Sequence, residues 1–198
     1  MSECTHDCSS CGASCPSREK ESLLEKPHAG TTVKKVVAVM QGDEFYSTWV
    51  ANKAIYRTRM AMADGGELLI VAPGLRRFGE QPDVDELIRK YGYSGTENVM
   101  KLWRTEPILQ DLTHGTAHLI HGSSEGRFKI TYAPGFLSKE EIESVCFGYA
   151  DLEETLKRYN PATMKNGFNV MPDGEEVYYI STPSAGLWTT AEKLKAQN

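Results

Sequence analysis

Two apolar runs, Val36-Val37-Ala38-Val39 and Leu68-Leu69-Ile70-Val71, constrain this chain more than any other feature. A short unbroken run of this kind suits a strand covered on both faces, as in parallel sheets. Between the runs, Phe45, Trp49, Tyr56 and Met60 recur at mostly helical intervals, with Asn52 and Lys53 among them. Asp43 is placed to cap that helix, and Gly65-Gly66 to end it, because glycine enters the left-handed region without strain. Strand, helix and strand make a βαβ unit, which implies parallel pairing and a right-handed crossover.

Three later helices are predicted from capping boxes, in which an acidic residue three positions on answers the cap: Asp83 with Glu86, Ser138 with Glu141, and Asp151 with Glu154. Phe128 to Tyr132 reads as a third strand, Val145-Cys146-Phe147 as a short fourth, and Val177-Tyr178-Tyr179-Ile180 as the last. Pro161, Gly167 and Pro172 make the stretch from Asn160 to Asp173 a loop, and Thr189 to Lys195 reads as a closing helix. The expected fold class is α/β: a mainly parallel sheet flanked by helices over residues 34–198, preceded by a disordered, cysteine-rich tail or linker over residues 1–33.

A formal charge of -5, with no basic stripe, argues against nucleic acid as a partner. No apolar run approaches the roughly 20 residues that span a bilayer, and no secretory leader is visible, so the expected location is cytoplasmic, away from membranes. Cys4, Cys8, Cys11 and Cys15 crowd into the first fifteen residues, spaced Cys-x3-Cys-x2-Cys-x3-Cys. Four thiolates so close together in a reducing compartment suit a zinc ion or an iron–sulfur cluster. Cys146 reads as a small buried apolar residue.

Other candidates are weighed by type and place. His114, His118 and His121, with Asp111 before them, share one helical face. Imidazoles with a carboxylate suit zinc or nickel, but one straight helix converges poorly on a single ion, and a structural or cleft-lining role is the stronger reading. Arg57 and Arg59 read as surface partners of acids. Arg76 and Arg77 follow the second strand, in a loop placed to meet an anion.

Gly42-Asp43-Glu44-Phe45-Tyr46, Asn52-Lys53-Ala54, Gly65-Gly66-Glu67 and Ala117-His118-Leu119-Ile120-His121-Gly122 together resemble the C-terminal domain of nickel-pincer lactate racemases and related 2-hydroxy-acid racemases and epimerases. The resemblance is recognisable over residues 42–160 and weaker beyond. It implies a two-domain enzyme whose N-terminal half carries the nickel-pincer nucleotide and paired catalytic histidines, while the C-terminal domain closes over a small 2-hydroxy acid. The cofactor takes a hydride and returns it to the other face of the keto intermediate. That half is absent from this sequence, so no catalytic residue is assigned, and activity requires a separate cofactor-bearing partner. The family's first helix carries Tyr-Gln-x-x-Lys, whose Gln and Lys contact substrate; here the stretch reads Trp49-Val50-Ala51-Asn52-Lys53. Lys53 alone carries over as a substrate-binding residue.

The first forty residues resemble a different family, the Mrp-type P-loop ATPases that carry iron–sulfur clusters. The resemblance rests on the early Cys-Thr-His-Asp-Cys and on Val33-Lys34-Lys35-Val36-Val37-Ala38-Val39. Where the phosphate loop should follow, Gln41-Gly42-Asp43-Glu44 offers carboxylates in place of donors. Two alternatives to the racemase reading follow: a metal-handling scaffold built on the cysteines, and a truncated or fused reading frame without activity of its own.

Overall fold

The computed structural model describes residues 32–42, 44–191 and 193. Asp43 and Cys4, Cys8, Cys11 and Cys15 lie outside the described residues. The elements run β1 (Val33–Val39), α1 (Thr48–Ala51), α2 (Lys53–Thr58), β2 (Met62–Ala72), α3 (Pro82–Tyr91), α4 (Thr96–Trp103), α5 (Pro107–Asp111) and α6 (Thr113–His121). They continue as β3 (Lys129–Pro134), α7 (Lys139–Ser144), β4 (Gly148–Tyr149), α8 (Leu152–Arg158), β5 (Gly167–Val170) and β6 (Glu176–Ile180). A single six-stranded sheet has the order β4-β3-β2-β1-β6-β5. All neighbouring pairs are parallel except β5 with β6. The fold is therefore α/β with a mainly parallel sheet, as the alternation of runs predicts.

The apolar run of β1 is central and covered on both faces. Val36, Ala38 and Met40 join the larger core beneath α1 to α7, while Val37 and Val39 join Leu69, Val71 and Tyr179 beneath Tyr159 and the flank of α8. Alternation along the strand thus feeds two apolar layers.

Several sequence expectations shift in detail. Gly65-Gly66 do not end a helix; they sit inside β2 at a register break opposite Val33 to Lys35, with Gly65 at φ 73°. The helix expected from Phe45 to Met60 is two short ones meeting at Asn52. Asp83 is not a cap, since α3 starts at Pro82; Asp85 instead accepts from the backbone N–H groups of Phe78 and Gly79 at 2.7 and 2.9 Å. Ser138 and Glu141 form the full reciprocal box, and Asp151 accepts from Glu154 N. Val145-Cys146-Phe147 is a turn before the two-residue β4, and Cys146 is exposed at φ 71°. The stretch expected to be a loop contains β5, whose partner β6 supplies its ladder.

Candidate functional site

The α1–α2 pair and α6 lie across the sheet's helical face, tied together by a buried polar chain. Thr48, Asn52 and His118 are buried, in the company of Tyr93 and Tyr132. Thr48 Oγ1 donates to the Phe78 carbonyl at 2.9 Å and meets Tyr93 Oη at 2.7 Å. Because each hydroxyl has one proton and that of Thr48 is committed to a carbonyl, Tyr93 donates to Thr48, and His118 Nε2–H donates to Tyr93 at 3.1 Å. Tyr132 Oη donates to Asn52 Oδ1 at 2.7 Å. The remaining contact, Asn52 Nδ2 to His118 Nε2, is the longest at 3.4 Å, as expected for two groups that both carry protons. Burial, with His121 adding to it, pushes the His118 imidazole down to about 4, so it is neutral at pH 7. Burial also pushes the Tyr93 and Tyr132 hydroxyls up.

Above this chain lies an open groove of about 580 Å³, lined by Trp49, Tyr56, Arg59, His114, Ala117, His118 and His121. The Trp49 ring lies 4.3 Å from the His118 ring at 34°, and 5.9 Å from the His114 ring nearly edge-on. Every lining residue comes from α1, from α2 with its C-terminal cap Arg59, or from α6, and none from a strand end. The site therefore opens on the helical layer instead of the carboxyl edge of the sheet, where ligands gather in many open α/β sheets.

The sequence candidates divide as follows. Lys53 is partly buried at the start of α2 and has no hydrogen bond or ion pair among the described residues; it is not part of the groove lining. Val50, where the racemase resemblance would place a glutamine, packs against the larger core. Arg57 is partly buried, with Nε lacking a hydrogen-bond partner among the described residues. Arg59 is not a surface ion pair, since its Nη2 donates to the carbonyls of His121 and Ser123 at 2.8 and 2.7 Å. Arg76 and Arg77 stay at the carboxyl edge, spent on local contacts. Arg76 lies 5.9 Å from the Tyr46 ring centre and 5.4 Å from that of Phe136; Arg77 lies 4.7 Å from Tyr46 and 3.7 Å from Glu80. Among the described residues no group of three or more His, Cys, Asp or Glu is arranged to hold a metal ion. The three histidines line a cleft, with His118 also structural.

No known family profile matches the chain, and no curated protein does. Among solved structures it is similar to a Thermotoga maritima protein at 22% identity and TM-score 0.60, over 82% of this chain and 38% of that one. It is also similar to the lactate racemase apoprotein of Thermoanaerobacterium thermosaccharolyticum at 13% identity and TM-score 0.54, over 84% of this chain and 38% of the racemase. The fold is lactate racemase-like. At these identities the likeness is one of fold, and the chain spans well under half the length of either neighbour. Nothing in the comparisons supports the Mrp-like leader, whose cysteines lie outside the described residues.

The groove's residues stand out in the sequence one by one, but their meeting does not. Trp49 and Tyr56 stand seven positions apart, as do His114 and His121. The part of Arg59 was not legible, because its contacts are to carbonyls far along the chain.

Proposed function

We propose that this chain is the substrate-facing part of a two-part, lactate racemase-like enzyme acting on a small 2-hydroxy acid. The observation that carries the reading is a racemase-like fold spanning 38% of the racemase chain, with a ligand-sized groove open on its helical layer. The described residues do not fit the nickel-pincer nucleotide: no cluster of donors among them is arranged for a metal, and His118 is engaged with Tyr93 beneath Trp49. The hydride chemistry therefore belongs to a partner, and this chain's part is to bind and enclose the acid. Lys53, an ammonium without a described counter-ion, is the residue assigned to meet the substrate carboxylate as that partner closes.

The test is racemisation of single-enantiomer 2-hydroxy acids by the chain alone, by a nickel-pincer-loaded N-terminal half of a lactate racemase, and by the mixture. Turnover in the mixture only, lost on Lys53→Ala, is the expected result. Equal rates with and without the chain would remove the reading.

A second reading is favoured by one sequence observation, the spacing of Cys4, Cys8, Cys11 and Cys15, which suits a zinc ion or an iron–sulfur cluster. Metal analysis of anaerobically purified protein is expected to find close to one site per chain, lost in a Cys4→Ser/Cys8→Ser variant. Identical metal content in the two proteins would remove that reading.

A further inference from the structure

On one side the sheet ends in β5, whose neighbour among the described strands is β6. Met171 N donates to the Glu175 carbonyl at 2.8 Å, so the antiparallel ladder continues through Asn169 and Gly167, opposite Val177 and Tyr179. The alternate residues, Phe168 and Val170, therefore turn their backbone groups to the outer side of the sheet. The Asn169 side chain is spent on the entry to the strand, bonding Lys165 N at 3.1 Å and the carbonyls of Lys165 and Gly167 at 2.7 and 2.9 Å.

Exposed sheet edges are usually guarded by a charged side chain or a proline, because they are templates for another strand. β5, Gly-Phe-Asn-Val, carries neither. Val170 is 70% exposed and Phe168 40%, and both stand on the sheet face of Tyr178, whose ring meets Phe168 edge-on at 5.0 Å.

The strand is complementary to itself. A two-fold axis at Asn169 sets Phe168 opposite Val170 of a second copy, and Val170 opposite Phe168 of that copy, so that outward N–H and C=O groups meet in both pairs. The aromatic ring then packs beside a β-branched side chain across the junction. Pro172, which has no N–H, falls opposite Asn166 and ends the ladder there. Charge fits the same arrangement, since the start of each strand lies beside the end of the other. Lys165, at the start, is exposed and in no ion pair among the described residues. At the end, Asp173 and Glu175 share the single guanidinium of Arg158 at 2.6 and 2.8 Å, which leaves that end net negative.

We propose that two copies of this chain join β5 to β5 in antiparallel register, making one continuous sheet with Lys165 of each copy beside Asp173 of the other. No residue of β5 lines the groove on the helical layer, so the inference stands apart from the function proposed above.

Sedimentation equilibrium of the full chain over a range of concentrations, with amide exchange at Val170, tests it. A monomer–dimer equilibrium is expected, with the Val170 amide exchanging more slowly as concentration rises. Val170→Pro removes an outward N–H and leaves the β5–β6 ladder its donors, so it is expected to weaken the dimer about tenfold or more. Val170→Lys, which keeps the N–H and guards the edge with charge, is expected to weaken it as well. Lys165→Asp and Asp173→Lys are each expected to weaken association, and their combination to restore it. A monomer at every concentration, or a dimer that survives both Val170 variants, would overturn the proposal. A double reversal no better than either single change would overturn the antiparallel register.

Discussion

His118 and Asn52 show how a residue can look like chemistry in a sequence and act as structure in the fold. The imidazole is buried and neutral, with its titration pushed down to about 4, below the ordinary histidine range. The unfolded chain therefore binds a proton that the folded chain refuses between about pH 6.5 and 4. Stability contributed at this site is full above about pH 6.5 and is lost as pH falls toward 4, by an amount on the order of 3 kcal/mol. Urea unfolding across that window is expected to show the slope, and His118→Gln to flatten it. The carboxyls of Glu67 and Asp85 sit below their usual range through hydrogen bonds to Lys35 and Thr131, and to Arg89, Gly79 and Phe78, respectively. Their share of stability is lost lower still, as pH falls through the folded carboxylate range. At the other end of the chain, Asn52→Ala strands the buried Tyr132 hydroxyl and is expected to cost about 2 kcal/mol. Adding Tyr132→Phe should recover part of that loss, with a coupling of about 1 kcal/mol by double-mutant unfolding. Additive losses would mean that the two side chains do not act on each other.

Among the elements, the strands of the sheet centre were plain in the sequence because each is a continuous apolar run that neither face of the sheet exposes. β5 was not, since Phe168 and Val170 stay exposed and its pairing comes from β6, a partner that no local pattern reveals. Likewise Gly65-Gly66 read as a helix stop, yet their reason is tertiary: a Cβ on Gly66 would stand 2.7 Å from the Lys34 carbonyl oxygen of the neighbouring strand. Gly66→Ala is therefore expected to lower stability by about 1–3 kcal/mol, because backbone and not a flexible side chain must yield. Gly122 plays the matching part at the end of α6, where a Cβ would come within 2.4 Å of the Tyr93 ring and 2.6 Å of Asn52 Nδ2. Gly122→Ala is expected to destabilise at least as much and to disturb the polar chain, visible as altered Tyr93 and His118 NMR signals. A Gly122→Ala chain as stable as its parent would contradict the packing described.

At the scale of the whole molecule, the strand order β4-β3-β2-β1-β6-β5 places most helices on one face, and the groove lies within that layer between α1–α2 and α6. The sequence made the fold class and the racemase resemblance legible. It pointed to Lys53 but gave no view of the groove, because the three elements that build it are brought together only by the sheet. No described helix is long and apolar enough to cross a membrane. The two-part reading proposed above sets a cofactor-bearing partner opposite this groove. It is tested most directly by mapping backbone and indole NMR shifts on the labelled chain as a pincer-loaded N-terminal racemase half is added. Shifts gathered at Trp49, Lys53, Tyr56, His114 and Ala117 are predicted, and shifts confined to the β5 edge around Phe168 and Val170, or none at all, would contradict it.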